Sequence, residues 1–285
     1  MNGALLADIG GTHARFAWAD GQGGHSAPQV LKVAEFADLP AALAVATAGR
    51  AVPGAFIALA GPVEAGRAVL TNSHWGEVRA AALGMPRVTL LNDLEAQAWL
   101  LPHLTAADTL SLGGGGGLRD APMLLVSPGT GLGVALHVPG AGAVATEGGH
   151  ATLAGADARE DAVLARLRMR FGHASAERAL CGPGLAHLAQ ALEELGEPAA
   201  AVEPLFLALL AGFCGSLALA TGARGGVCLS GAILNARSEA LLAPGFRGRF
   251  LAKGRFGSWL EALPLRLITT PEPGLAGLAW RAAAG

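Results

Sequence analysis

Three observations predict a mixed α/β fold for this chain. A strand, a glycine turn and a second strand open it; strand-helix units follow; and a second strand-glycine-strand unit begins about 120 residues later. With 285 residues, the chain exceeds one typical domain of about 100 to 200 residues, so two domains are expected. Apolar residues make up 52% and charged residues 15%, which supports a sizeable core and excludes a disordered or coiled-coil chain. The net charge is −2 and no basic run is present, so neither nucleic acid nor an anionic membrane is the expected partner. A small molecule or a second copy of the chain fits better. Cys181, Cys214 and Cys228 are widely spaced and odd in number, which suits free thiols in a reducing compartment. Asp8 interrupts the first apolar run, and no stretch of about 18 apolar residues is free of glycine and charge. A cytoplasmic protein is expected.

Taken in order, 4–7 and 14–19 read as a hairpin around Gly10-Gly11, with a third strand over 29–34. Apolar spacing over 39–48 predicts a helix, followed by a strand at 55–59, the turn Ala60-Gly61-Pro62 and a short strand at 68–71. Residues 77–83 read as a helix, 87–91 as a buried strand, and 94–101 as a helix. The glycine run in "SLGGGGGLRD", 111–120, lacks the Lys-Ser/Thr ending of a phosphate loop and reads as a flexible loop or domain connection. Strands are expected at 123–127, 132–138 and 143–145, then helices near 157–170, 184–195 and 203–221. A strand with its turn at 226–231, a further helix, a strand at 264–269 and a last helix at 274–283 complete the pattern.

Chemistry gathers at the turns. Asp8-Ile9-Gly10-Gly11-Thr12 and Gly129-Thr130-Gly131 each offer backbone N–H groups and a threonine hydroxyl, the makings of a nest for phosphate oxygens. Taken alone, Gly-Gly between apolar runs is more often only a hairpin turn. A carboxylate beside phosphate needs a cation between them, so Asp8 suggests Mg²⁺ held through water. In "LLNDLEAQAW" a buried strand ends at Asn92-Asp93, where open α/β sheets place ligands. Asp93 is there either an acid-base group or the cap of the next helix. Glu147 and His150 in "TEGGHATLAG" can face one polar ligand together, and Glu177 in "SAERALCGPGL" again stands beside a glycine turn. The small residues of "GGVCLSGAI" leave a surface flat enough for an adenine ring.

DIGGT, ND after a strand, PGTGLG, EGGH, SAER..CGPGL and GGVCLSGA, in this order over nearly the whole chain, resemble the bacterial ATP-dependent glucokinases of the hexokinase-actin-Hsp70 superfamily. The resemblance implies two ribonuclease H-like (actin-like ATPase) domains with an interdomain cleft. The small α/β domain would span 1–103 plus 274–285, and the large α+β domain 104–273. It implies transfer of the ATP γ-phosphoryl group to the 6-hydroxyl of glucose, giving glucose 6-phosphate for glycolysis, with Mg²⁺ as cofactor and a homodimer as the assembly. Asp93 becomes the general base, and Asn72, Asn92, Glu147, His150 and Glu177 the sugar ligands alongside it. Asp8, Gly10, Gly11 and Thr12 match the first phosphate motif, Gly129, Thr130 and Gly131 the second, and Gly231 the adenosine motif. A sugar's hydroxyls both donate and accept, and carboxylates, an amide and an imidazole can pair with them.

Departures from the pattern are His13, where the family usually has Asn, and Ala232 in place of the second glycine of the adenosine motif. The related repressor-containing kinases carry a cysteine-rich zinc cluster soon after this histidine motif. Here no cysteine lies between His150 and Cys181, and no helix-turn-helix fits before Asp8, so neither zinc nor DNA binding is expected. Two other functions fit the same motifs: a sugar-sensing protein that lost turnover, and a kinase for another hexose such as mannose, fructose or N-acetylmannosamine.

Overall fold

The computed structural model describes residues 1–70 and 73–285. The chain divides into two compact units, Met1–His103 with Pro271–Gly285, and Leu104–Thr270. Asn72, expected in the sugar pocket, lies outside the described residues.

In the first unit β1 (Leu5–Ile9) and β2 (His13–Trp18) form the opening hairpin, and β3 (Gln29–Lys32) extends it. Helix α1 (Leu39–Thr47) is capped by Asp38, whose carboxylate accepts from the Ala41 N–H. β4 (Ala55–Leu59) follows; β5 (Val63–Glu64), β6 (Arg67–Val69) and β7 (Glu77–Arg79) make a separate small sheet, and β8 (Val88–Asn92) leads into α2 (Asp93–Ala98). The main sheet runs β3-β2-β1-β4-β8, antiparallel over β3, β2 and β1 and parallel from β1 to β8.

Alternation along β1 decides where the chemistry sits. Leu5, Ala7 and Ile9 join the core on the α1 side, whereas Ala4 and Leu6 face the C-terminal helix, Pro273–Ala283. Asp8 therefore shares the face of Leu6. That helix is fixed at its far end by the Met1 ammonium, which donates to the Ala282 carbonyl. Against α2 it comes so close that a Cβ on Gly277 would lie 1.8 Å from the Ala96 carbonyl oxygen. Gly277→Ala must force the two helices apart. The expected cost is about 1–3 kcal/mol, read from denaturant midpoints, together with a lower kcat because α2 carries Asp93.

The second unit opens with β9 (Thr109–Ser111), then β10 (Met123–Pro128), β11 (Leu132–Val138) and β12 (Gly142–Thr146). Helices α3 (Ala158–Phe171), α4 (Ala176–Ala179), α5 (Gly182–Glu194) and α6 (Val202–Thr221) follow, then β13 (Gly226–Leu229). Four short helices, α7 (Ala232–Asn235), α8 (Ser238–Leu242), α9 (Pro244–Leu251) and α10 (Gly257–Glu261), precede β14 (Leu265–Ile268). The sheet runs β12-β11-β10-β13-β14-β9, again an antiparallel meander continued by parallel strands, with β9 closing the edge antiparallel. Both units thus share one pattern, a three-stranded antiparallel meander continued by two parallel strands.

By length and composition α6 and the turn before it could cross a membrane, with mean hydropathy 1.9 over the window. Leu205, Phe206, Leu209, Leu210 and Cys214 are instead buried in the core of this unit, and α6 packs on α5 and α9.

Two local expectations are corrected. Residues 77–83 form β7 and a 3₁₀ turn, because Val78 alternates into the core between exposed Glu77 and Arg79 and pairs with Ala68. Alanine-rich composition there favoured helix, and tertiary pairing overrode it. The glycine run is a loop, as expected, but it lies within the second unit and does not connect the two units. Gly115 and Gly117 donate to the carbonyls of Glu261 and Ala262 at 3.1 and 3.3 Å. A Cβ on Gly114 would lie 1.8 Å from the Leu263 carbonyl oxygen, so close backbone approach to the end of α10 requires glycine.

Candidate active site

In the first unit the end of β8 separates two roles that the sequence left open. Asn92 takes the cap: its Oδ1 accepts from the N–H groups of Leu94 and Glu95 at 2.9 and 3.3 Å. Glu95 returns a carboxylate to the Asn92 N–H at 3.4 Å, completing a capping box. Asn92 Nδ2 donates to the Gly61 carbonyl at 3.1 Å, which leaves one amide hydrogen for a ligand. Asp93 is thereby freed from capping. It stands at the first helical position, and its Oδ1 accepts from the Leu94 N–H at 3.0 Å.

Burial, and after it the negative charge of Asp8, pushes the Asp93 carboxyl up from 3.8 to about 6. β1 and β8 are two strands apart, so by strand spacing these acids leave the sheet roughly 10 Å apart along the same edge. Asp8 is itself raised, first by burial and further by Glu272, with Arg15 opposing. Its carboxylate meets the start of the C-terminal helix, where a Cβ on Gly274 would lie 2.8 Å from Oδ2. In the adjoining turn the Gly10 N–H donates to the His13 carbonyl at 3.0 Å, a backbone bond that does not depend on the His13 side chain. Gly11 and Thr12 beyond it are exposed.

In the second unit Gly129-Thr130-Gly131 links β10 to β11. The Gly129 N–H donates to the Gly131 carbonyl at 2.8 Å, and the Gly129 carbonyl accepts from the Gly182 N–H, also at 2.8 Å, where α5 begins. Glu147 and His150 follow β12. His150 Nε2 lies 3.7 Å from a Glu147 carboxylate oxygen, and its Nδ1 lies 4.0 Å from Glu177 Oε1. Three residues predicted from two separate motifs are therefore brought into one cluster. Their segments are stitched by Leu153 N–H to the Ala174 carbonyl and Ala176 N–H to the Ala151 carbonyl, both 2.9 Å, and by Thr152 Oγ1 against His173 Nε2 at 2.8 Å.

Gly231 follows β13 with φ +107°, and a Cβ there would lie 2.7 Å from the Pro128 carbonyl oxygen. Only glycine allows this turn to lie against the strand that carries the phosphate motif. Ala232 is the first residue of α7.

Sequence reasoning missed the C-terminal helix as a neighbour of Asp8. "PEPGLAG" at 271–277 held the signal: a proline that starts a helix, with glycines three residues apart on one face. It also missed the Leu132 N–H and the Gly61 carbonyl, because a backbone group that receives a distant side chain leaves no mark in local sequence.

A family model described as "Glucokinase" matches residues 5–203 and 191–284. A glucokinase of Paramagnetospirillum magneticum is 41% identical over 96% of this chain and 96% of its own length. The crystal structure of a glucokinase from an Antarctic psychrotroph superposes with a TM-score of 0.88 and 29% identity, covering 99% of both chains. A ROK family glucokinase from Streptomyces griseus, solved in complex with glucose and AMPPNP, shares the fold with a TM-score of 0.64 at 19% identity over 99% of each chain. Matched in sequence and in fold along nearly its whole length, this chain belongs to the glucokinase family.

Proposed function

We propose that the residues gathered in the two units transfer the γ-phosphoryl group of ATP to the 6-hydroxyl of glucose, releasing glucose 6-phosphate and ADP. The observation that carries the assignment of the base is Asp93: excluded from the helix cap by Asn92, half-buried, and raised to about 6. It accepts the hydroxyl proton while the sugar oxygen bonds to the γ-phosphorus and the bridging oxygen leaves with ADP. Asn92, Glu147, His150 and Glu177 hold the sugar's other hydroxyls. The turns at Gly10-Gly11-Thr12 and Gly129-Thr130-Gly131 hold the phosphates through backbone N–H groups other than those of Gly10 and Gly129, which donate within their turns, and Gly231 admits the adenosine.

Asp8 fits a cation. Its half-buried carboxylate is within electrostatic reach of Asp93 and Glu272 as well as of Arg15, so the acids there outnumber the one cation. Mg²⁺ is commonly held by one or two carboxylates, waters and substrate phosphates, and when bound it supplies neutralisation of the triphosphate charge. The same reading takes the chain as a cytoplasmic homodimer outside the zinc-containing repressor and kinase group. Three free buried cysteines support the reducing compartment.

ADP release should depend on glucose, and kcat/KM across a panel of glucose, mannose, fructose and N-acetylmannosamine should be highest for glucose. Equal ADP release with and without sugar would overturn the reading, and a higher value for another hexose would reassign the substrate.

A further inference from the structure

We infer that Glu177 positions the phosphate turn as well as meeting the sugar, so that occupation of the sugar cluster and the grip on the nucleotide tail are coupled within the second unit. This rests on the sugar and nucleotide assignments proposed above. The two oxygens of one carboxylate face the two features. Oε2 accepts from the N–H of Leu132, the residue that follows Gly131, at 3.0 Å, while Oε1 lies 4.0 Å from His150 Nδ1.

The carboxylate also occupies the space a side chain at 131 would need. A Cβ there would lie 2.6 Å from Glu177 Oε2, so any side chain at 131 would push the Glu177 carboxylate off the turn. The same segment holds the other end of the turn through the Gly182 N–H and the Gly129 carbonyl at 2.8 Å. Between these anchors the Cys181 thiol donates to the Glu177 carbonyl at 3.0 Å and closes α4 onto the start of α5. The stretch from Glu177 to Gly182 therefore clamps Gly129-Thr130-Gly131 at both ends.

The separation of His150 and Glu177 exceeds a direct hydrogen bond, and a hydroxyl of the sugar bonded to both fixes the carboxylate from one side. Fixing Oε1 fixes Oε2, and with it the Leu132 N–H and the turn whose amides face the phosphates. Equilibrium coupling is reciprocal, so the nucleotide must tighten sugar binding by the factor with which the sugar tightens nucleotide binding.

Calorimetric titration of the full chain with glucose and the non-hydrolysable analogue AMPPNP, each alone and with the other present, tests this. In the wild type each ligand should tighten the other by an equal factor, about 5- to 150-fold. Glu177→Ala should weaken AMPPNP binding several-fold in the absence of sugar and bring the factor to one. Glu177→Gln keeps an amide oxygen for the Leu132 N–H and should restore AMPPNP affinity without restoring that for glucose. Gly131→Ala, in the nucleotide turn, should weaken binding of glucose alone several-fold by displacing the carboxylate. Unchanged AMPPNP affinity in Glu177→Ala, or wild-type glucose affinity in Gly131→Ala, would overturn the coupling. Wild-type binding of both ligands with independent affinities would defeat the coupling and leave the proposed function standing. Failure of the wild type to bind either ligand would defeat both.

Discussion

Asp93→Asn should lower kcat about 10²- to 10⁴-fold while glucose affinity changes little, because the amide keeps the shape and hydrogen-bonding reach of the carboxylate but cannot take a proton. Single-turnover rates and equilibrium binding separate the two effects. Near-wild-type turnover would remove Asp93 from the mechanism. The acid limb of the pH profile is a second signature. The base must be ionised, and burial with the neighbouring charge of Asp8 holds Asp93 near 6. In the wild type kcat/KM should therefore rise with pH up to about 6 and then level, and the variant should lose that limb.

Stability moves the opposite way over the same range. Between the ordinary carboxyl value of 3.8 and about 6, the folded protein keeps a proton on Asp93 that the unfolded chain has released. The contribution of this group to stability falls as pH rises through that window. Asp93→Asn should therefore gain stability relative to wild type as pH rises from 4 to 7, read from denaturant midpoints at each pH.

Arg249→Met, on α9, should be strongly destabilising. Glu160, 5% exposed at the start of α3, accepts from the Ala156 N–H and from Arg249 Nη2 of α9, both at 2.7 Å. Arg249 also lies against Gly212 of α6, where a Cβ would be 3.3 Å from its Cζ. Removing the guanidinium leaves a buried carboxylate with no opposing charge in contact, a loss of about 3–5 kcal/mol. Against a typical total of about 5–15 kcal/mol this takes the second unit close to unfolding at 37 °C. Pairing it with Glu160→Gln should recover most of the loss, since the stranded charge goes with it. A double variant no more stable than Arg249→Met would show that packing of the stem, and not the charge, carries the effect. Lys253 nearby is lowered by burial and by Arg249, and the charge of Glu160 opposes that lowering, so Arg249→Met should let Lys253 titrate higher.

Most element positions could be read locally. β4 and β11 fall on the expected residues, and α1, α3, α6 and the C-terminal helix start within a residue or two of the expected bounds. Each of these has an apolar period, a turn or a cap within its own window. Where local chemistry conflicted with pairing, as at 77–83, the window misled; at 113–117 it gave the loop but not the distant backbone contact that its glycines serve.

What the sequence determined by itself is the repeated strand-turn-strand unit, its place in an α/β fold, and the order of the motifs that mark the family, because each is set by hydrogen bonds and alternation within a few residues. Tertiary structure decided that Asn92 and not Asp93 closes the helix, that the C-terminal helix lies against Asp8, and that Glu177 reaches both His150 and the Leu132 N–H. These depend on which distant segments share a neighbour after folding, and a side chain's reach across space is not encoded in the residues beside it.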